Sequence, residues 1–65
     1  MKMSILTWLT KNHVNYELGG NDTHEFLWIE PQDRYKVNSY FKRIKLKYKS
    51  QFVASFTKYE YMLEK

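Results

Sequence analysis

Residues 34–49 contain Arg34, Lys36, Lys42, Arg43, Lys45, Lys47 and Lys49 and no acid, so this is the stretch whose side chains could act on an anion. Cations spaced this closely would neutralise several phosphates of a nucleic acid strand, giving salt-sensitive contact with little reading of sequence. Tyr35 and Tyr40 lie among them, and an exposed ring there would stack on a base for about 1–3 kcal/mol. Two plainer roles compete. Lysine-rich faces keep edge strands from pairing, and aromatics in so short a chain usually pack inside. No RNA-binding signature with its glycines accompanies the charges.

His24 is the one candidate for acid–base work. It follows the polar tetrad Gly19-Gly20-Asn21-Asp22 and is flanked by Thr23 and Glu25. An imidazole titrates near neutrality and could move a proton; an exposed residue opening a strand is the commoner role. His13 fits the end of a helix. With two histidines and no cysteine, a tetrahedral zinc site has too few ligands. The acids are scattered with no pair spaced for a metal or an acid–base couple, and no serine beside a base and no phosphate loop is present. The chain therefore reads as a non-enzymatic protein with no catalytic residue, metal or cofactor.

The charge is unevenly placed. Residues 34–49 sum to +7, residues 1–33 to −3, and residues 50–65 balance, which gives the net +4. One basic segment on a mildly acidic chain points to an anionic partner, nucleic acid or an acidic protein surface, rather than to a fold.

The elements that must position these residues are read from periodicity. Ile5, Trp8 and Leu9 share a helical face over 4–12, with Ser4 as N-cap and Asn12 or His13 at the end. Val14, Tyr16 and Leu18 alternate as a strand, and HEFLWIE (24–30) follows as a second, so the two form a hairpin across Gly19–Asp22. Pro31 ends the second strand. Residues 32–50 fit two patterns. A helix from Asp33 would align Val37, Tyr40, Phe41, Ile44 and Tyr48, while a strand over 43–49 would turn Ile44, Leu46 and Tyr48 inward and Arg43, Lys45, Lys47 and Lys49 outward. Local alternation favours the strand for 43–49, with 33–41 a short helix or a long connection. Phe52, Val53, Phe56, Tyr59 and Leu63 align as a closing helix capped by Ser50, although Tyr59 and Tyr61 also suit a strand.

The expected fold is α+β: a single domain over 1–65, a three-stranded antiparallel sheet with an N-terminal and a C-terminal helix on one face. No internal repeat or linker is expected. A chain of 65 residues buries little surface, and lacking cysteine it must rely on six Tyr, four Phe and two Trp, or on forming a homodimer. The missing cysteines, the short broken apolar stretch at the start and the absence of a spanning run point to a soluble cytoplasmic protein with no membrane contact.

The helix, the hairpin with glycine and histidine near its tip, the third strand and the closing helix resemble the HicA family of toxin ribonucleases over SILTWLTKNHVNYELGGNDTHEFLWI. That resemblance implies a double-stranded-RNA-binding-like fold that cleaves mRNA with one histidine, here His24. The family's glycine-serine-histidine signature is replaced by Gly19-Gly20-Asn21-Asp22-Thr23-His24, and acids flank it.

Three functions follow in order of support. The first is a small binding or regulatory protein that contacts nucleic acid, or a machine that handles it, through 34–49. The second is an inhibitor or adaptor that binds a host protein; small size and the Lys, Asn, Tyr and Ile usage of an AT-rich gene suit a phage or mobile element. The third is the ribonuclease using His24.

Overall fold

The computed structural model describes residues 1–65. Two helices lie on one face of a four-stranded antiparallel sheet, in a molecule 27 × 27 × 17 Å that leaves depth for two layers. The order is α1 (Met3–Lys11), β1 (Tyr16–Gly20), β2 (His24–Ile29), a 3-10 turn (Pro31–Asp33), α2 (Arg34–Arg43), β3 (Lys49–Val53) and β4 (Lys58–Glu64). Across the sheet the strands run β1-β2-β4-β3. The α+β class, the first helix, the first hairpin and the stop at Pro31 agree with the sequence reading. No helix is long and apolar enough to cross a membrane.

Several finer expectations are corrected. The sheet has four strands. The closing helix is a second hairpin: Tyr61 and Leu63 are buried at alternate positions of β4, while Phe52 lies in an edge strand and Phe56 in the turn. Ser50 pairs with Tyr61 in the ladder and caps nothing. The strand over 43–49 is replaced by the end of α2, a turn and an extended connection. Within that connection Leu46 and Tyr48 do pack on the core, but Ile44 stays 41% exposed. Helix α1 begins at Met3, with Lys2 before it and no side-chain cap from Ser4. Gly19 and Gly20 belong to β1 and have negative φ, so the turn is made by residues 21–23, where Asn21 Oδ1 accepts from the amides of Thr23 and His24 at 3.0 and 2.8 Å.

The chain also contains an internal repeat. Each half is a helix followed by a hairpin, and the backbone details recur thirty-two positions apart. The amide of Val14 donates to Leu9 O and that of Leu46 to Phe41 O, both at 3.0 Å. His13 and Lys45, the residues just past the two helix caps, both sit at φ 57. The buried Ile5 and Leu9 correspond to Val37 and Phe41, and Tyr16 corresponds to Tyr48. The second hairpin turn is two residues longer, so β2 maps onto β4 thirty-four positions on: Leu27 corresponds to Tyr61, its own ladder partner. An approximate twofold axis thus passes between β2 and β4, where the strand order reads the same from either edge.

Both units contribute to one interior. Ile5, Leu9, Val14, Leu27 and Ile29 meet Val37, Tyr40, Phe41 and Tyr61, each large apolar side chain stabilising the fold by about 1.5–3 kcal/mol on burial. The buried Tyr61 hydroxyl donates to Asn38 Oδ1 on α2, and burial pushes its phenol well above the usual range. On the open face Trp28 lies over Gly19, where a Cβ would stand 2.4 Å from the indole. Its Nε1 donates to Glu60 at 2.9 Å.

Candidate nucleic-acid interface

The seven cations of 34–49 do not act as one surface. Arg34 is held between the rings of Tyr35 and Tyr59, at 4.5 and 4.8 Å, and donates to both hydroxyls. Those hydrogen bonds, Tyr59's first, raise its guanidinium pKa further. Lys36 donates to Asn12 O at 3.1 Å and stands 3.9 Å from Asp33. Arg43 lies 5.6 Å from the Tyr40 ring centre. Lys42, Lys45, Lys47 and Lys49 are exposed, and their ammonium groups make no hydrogen bond or ion pair. These four are free to meet an anion.

Their positions follow from how α2 ends. Lys42 occupies its last turn, where a cation is favoured by the helix dipole. Lys45 takes the left-handed conformation that stops the helix. Beyond it the chain is extended, so Leu46 and Tyr48 face the core while Lys47 and Lys49 face out. Two open hollows flank Leu46 and Tyr48. One, about 470 Å³, is lined by Lys42 and Lys45 with Asn38 and Ser39; the other, about 460 Å³, by Lys47, Lys49, His24, Met62, Leu63 and Glu64.

The proposed stacking aromatics behave differently from that expectation. Tyr40 is 8% exposed, with Trp8 stacked on its ring, so it is a core residue closed to a base. Tyr35 is 72% exposed, but Arg34 covers one ring face and its hydroxyl accepts from that guanidinium.

His24 is brought beside Lys47 and Lys49 by the β2–β4 ladder, which sets it opposite Glu64. Its Nδ1 shares a 2.8 Å hydrogen bond with the Thr23 hydroxyl. Nothing in sequence spacing signals this meeting, nor that Met62, Leu63 and Glu64 line the same hollow. No group of three or more His, Asp or Glu gathers anywhere in the molecule.

The repeat supplies an internal comparison. In the first unit the places of Lys42, Lys45, Lys47 and Lys49 are held by Thr10, His13, Asn15 and Glu17, on the same backbone. There Asn15 donates to Glu30 at 3.0 Å. That bond, then one from Gln32 and the nearby Lys58 ammonium, hold the Glu30 carboxyl below the usual carboxylate range. The fold is therefore built once with four lysines and once without them.

No family model, curated protein or solved structure matches this chain.

Proposed function

We propose that this protein is a non-enzymatic nucleic-acid-binding protein that contacts the phosphate backbone through Lys42, Lys45, Lys47 and Lys49. The observation that carries the reading is the difference between the two units. Thr10, His13, Asn15 and Glu17 occupy the same helix end, turn and strand start without harm to the fold, so folding does not require lysine at the second set of positions. Four unpaired ammonium groups on adjoining elements carry a standing mutual repulsion, which a polyanion relieves.

A phosphate backbone suits this surface better than an acidic protein does. Four of the five cations of 34–49 without a hydrogen-bond or ion-pair partner are lysines, point charges on flexible stems without the planar fork that selects a carboxylate, and the fifth, Arg43, lies beside the Tyr40 ring. No free exposed aromatic lies among them to anchor a protein partner. Arg34, Lys36 and Arg43 are engaged within the molecule and serve the fold first.

The deciding experiment is binding to mixed-sequence oligonucleotides across a salt series. The wild type is compared with a variant carrying the first unit's neutral residues, Lys42→Thr and Lys47→Asn, together with Lys45→Asn and Lys49→Gln. An unchanged salt slope in a folded variant overturns the reading. Retention of one stoichiometric protein from host lysate, with no nucleic acid, would favour an inhibitor or adaptor.

A further inference from the structure

The hollow beside Lys47 and Lys49 also has a counterpart in the first unit. Its first-unit counterpart would be lined by Asn15, Tyr16, Glu17, Trp28, Glu30 and Lys58. That counterpart is largely closed: Asn15 is hydrogen-bonded to Glu30, the Trp28 indole lies against Gly19, and about 220 Å³ is left among Glu17, Trp28, Phe56 and Lys58. In the second unit Met62 stands for Trp28 and Lys47 for Asn15. Glu64, the counterpart of Glu30, receives no side-chain hydrogen bond. The result is a hollow of about 460 Å³, within the roughly 300–1,000 Å³ that small-molecule sites occupy.

We infer that this hollow is a nucleotide subsite of the proposed interface, taking one nucleotide with its base on the apolar floor and its phosphate at the lysines. The inference rests on the nucleic-acid reading and adds a specific contact to it. Met62 and Leu46 give the hollow its apolar lining, with Leu63, 4% exposed, closing it behind them, and a methionine sulfur is a good neighbour for an aromatic ring. Lys47 and Lys49 flank it with free ammonium groups suited to a phosphate. His24 adds a ring nitrogen not engaged by Thr23. Glu64 is the one acid present; it repels phosphate and accepts from ribose hydroxyls, so it fixes which end of the nucleotide faces which side.

The site holds a free nucleotide or one residue of a strand by the same contacts, and the test separates them. Amide chemical shifts are followed on adding AMP, adenosine, inorganic phosphate or a short 5′-phosphorylated oligonucleotide. AMP is expected to shift His24, Lys47, Lys49 and Leu63 more than adenosine or phosphate does. The strand should displace AMP if the subsite serves the interface; failure to displace it would make this a free-nucleotide site and overturn the inference. Lys47→Asn should weaken AMP by roughly tenfold or more, as loss of a charge-assisted contact does.

Met62→Trp with Gln51→Gly rebuilds the closed arrangement of Trp28 over Gly19, and should abolish the AMP response while the rest of the spectrum stays folded. A wild-type response in this variant, or AMP shifts that avoid the hollow, overturns the inference. If AMP leaves the hollow silent while oligonucleotide binding keeps its lysine-dependent salt slope, the subsite fails and the interface stands. If AMP binds but the slope ignores Lys42 and Lys45, the interface reading fails instead.

Discussion

Trp8 and Tyr40 occupy equivalent places in the two halves of the chain and stack on one another, with ring centres 4.1 Å apart and planes within 1°. They mark, on the helix layer, the axis that Leu27 and Tyr61 mark in the sheet. Replacing Trp8 with alanine is expected to cost about 3 kcal/mol in urea denaturation, near the low end for a large aromatic because Trp8 is only partly buried. A double-mutant cycle with Tyr40→Leu should show about 0.5–1.5 kcal/mol of coupling. Strict additivity would mean that the two rings merely lie near each other.

The salt dependence of oligonucleotide binding has a magnitude as well as a sign. Four phosphate contacts give a slope of about −3.6 in log K against log salt for duplex and about −2.8 for a single strand. Each lysine neutralised should remove roughly a quarter of it. Urea midpoints of these variants should stay close to wild type, because the first unit folds with neutral groups at three of the same places and an acid, Glu17, at the fourth.

Lys45 and His13 both take φ 57, where a Cβ is strained. Lys45→Gly is therefore expected to raise stability by about 0.5–1 kcal/mol while weakening oligonucleotide binding. His13→Gly should raise stability and leave binding alone. If Lys45→Gly improves neither stability nor exchange protection, the conformation at Lys45 is unstrained.

Gly19 should resist substitution. The Cβ of Gly19→Ala would come within 2.4 Å of the Trp28 ring, which must shift and strain its bond to Glu60. A loss of about 1–3 kcal/mol with a red-shifted tryptophan emission is the expected outcome. Unchanged emission would show that the ring does not rest on this strand.

Alkaline pH should destabilise the protein through Tyr61. The folded state holds this phenol's proton, mainly because the group is buried, above the value of about 10 at which an unfolded chain releases it. The native form then binds more protons than the unfolded one, so the contribution is complete below about pH 10 and is lost as pH rises beyond it. Tyr61→Phe should flatten that decline in urea midpoints measured against pH. An equally steep decline in the variant would assign it to other groups.

The sequence disclosed the local patterns and hid the pairing between them. Ile5, Trp8 and Leu9 marked α1 because a helix needs no distant partner. The alternation of Ile44, Leu46 and Tyr48 was real for Leu46 and Tyr48, yet it belongs to an extended connection, since nothing pairs beside it. Phe52, Val53, Phe56, Tyr59 and Leu63 matched a helical face by coincidence: Phe56 sits in a turn and Tyr59 and Leu63 share one face of a strand.

The repeat is hidden in the sequence because its helices and first strands share only Tyr16 and Tyr48 as an identical pair. What persists is size and polarity at matched positions, as in Ile5 and Val37, or Leu9 and Phe41. The basic segment is legible as charge, but the engagement of Arg34 and Lys36 depends on Tyr59 and Asn12, residues far from it in the chain.

The shared interior also governs how the molecule forms. Each helix and hairpin can assemble locally within microseconds, yet neither has an inside of its own until β2 meets β4. That meeting joins residues such as Leu27 and Tyr61, distant in the chain, and must precede most of the reward from burial. The central ladder is therefore the expected commitment step, and opening it should release both halves together, so that hydrogen exchange would find two architectural parts behaving as one cooperative foldon.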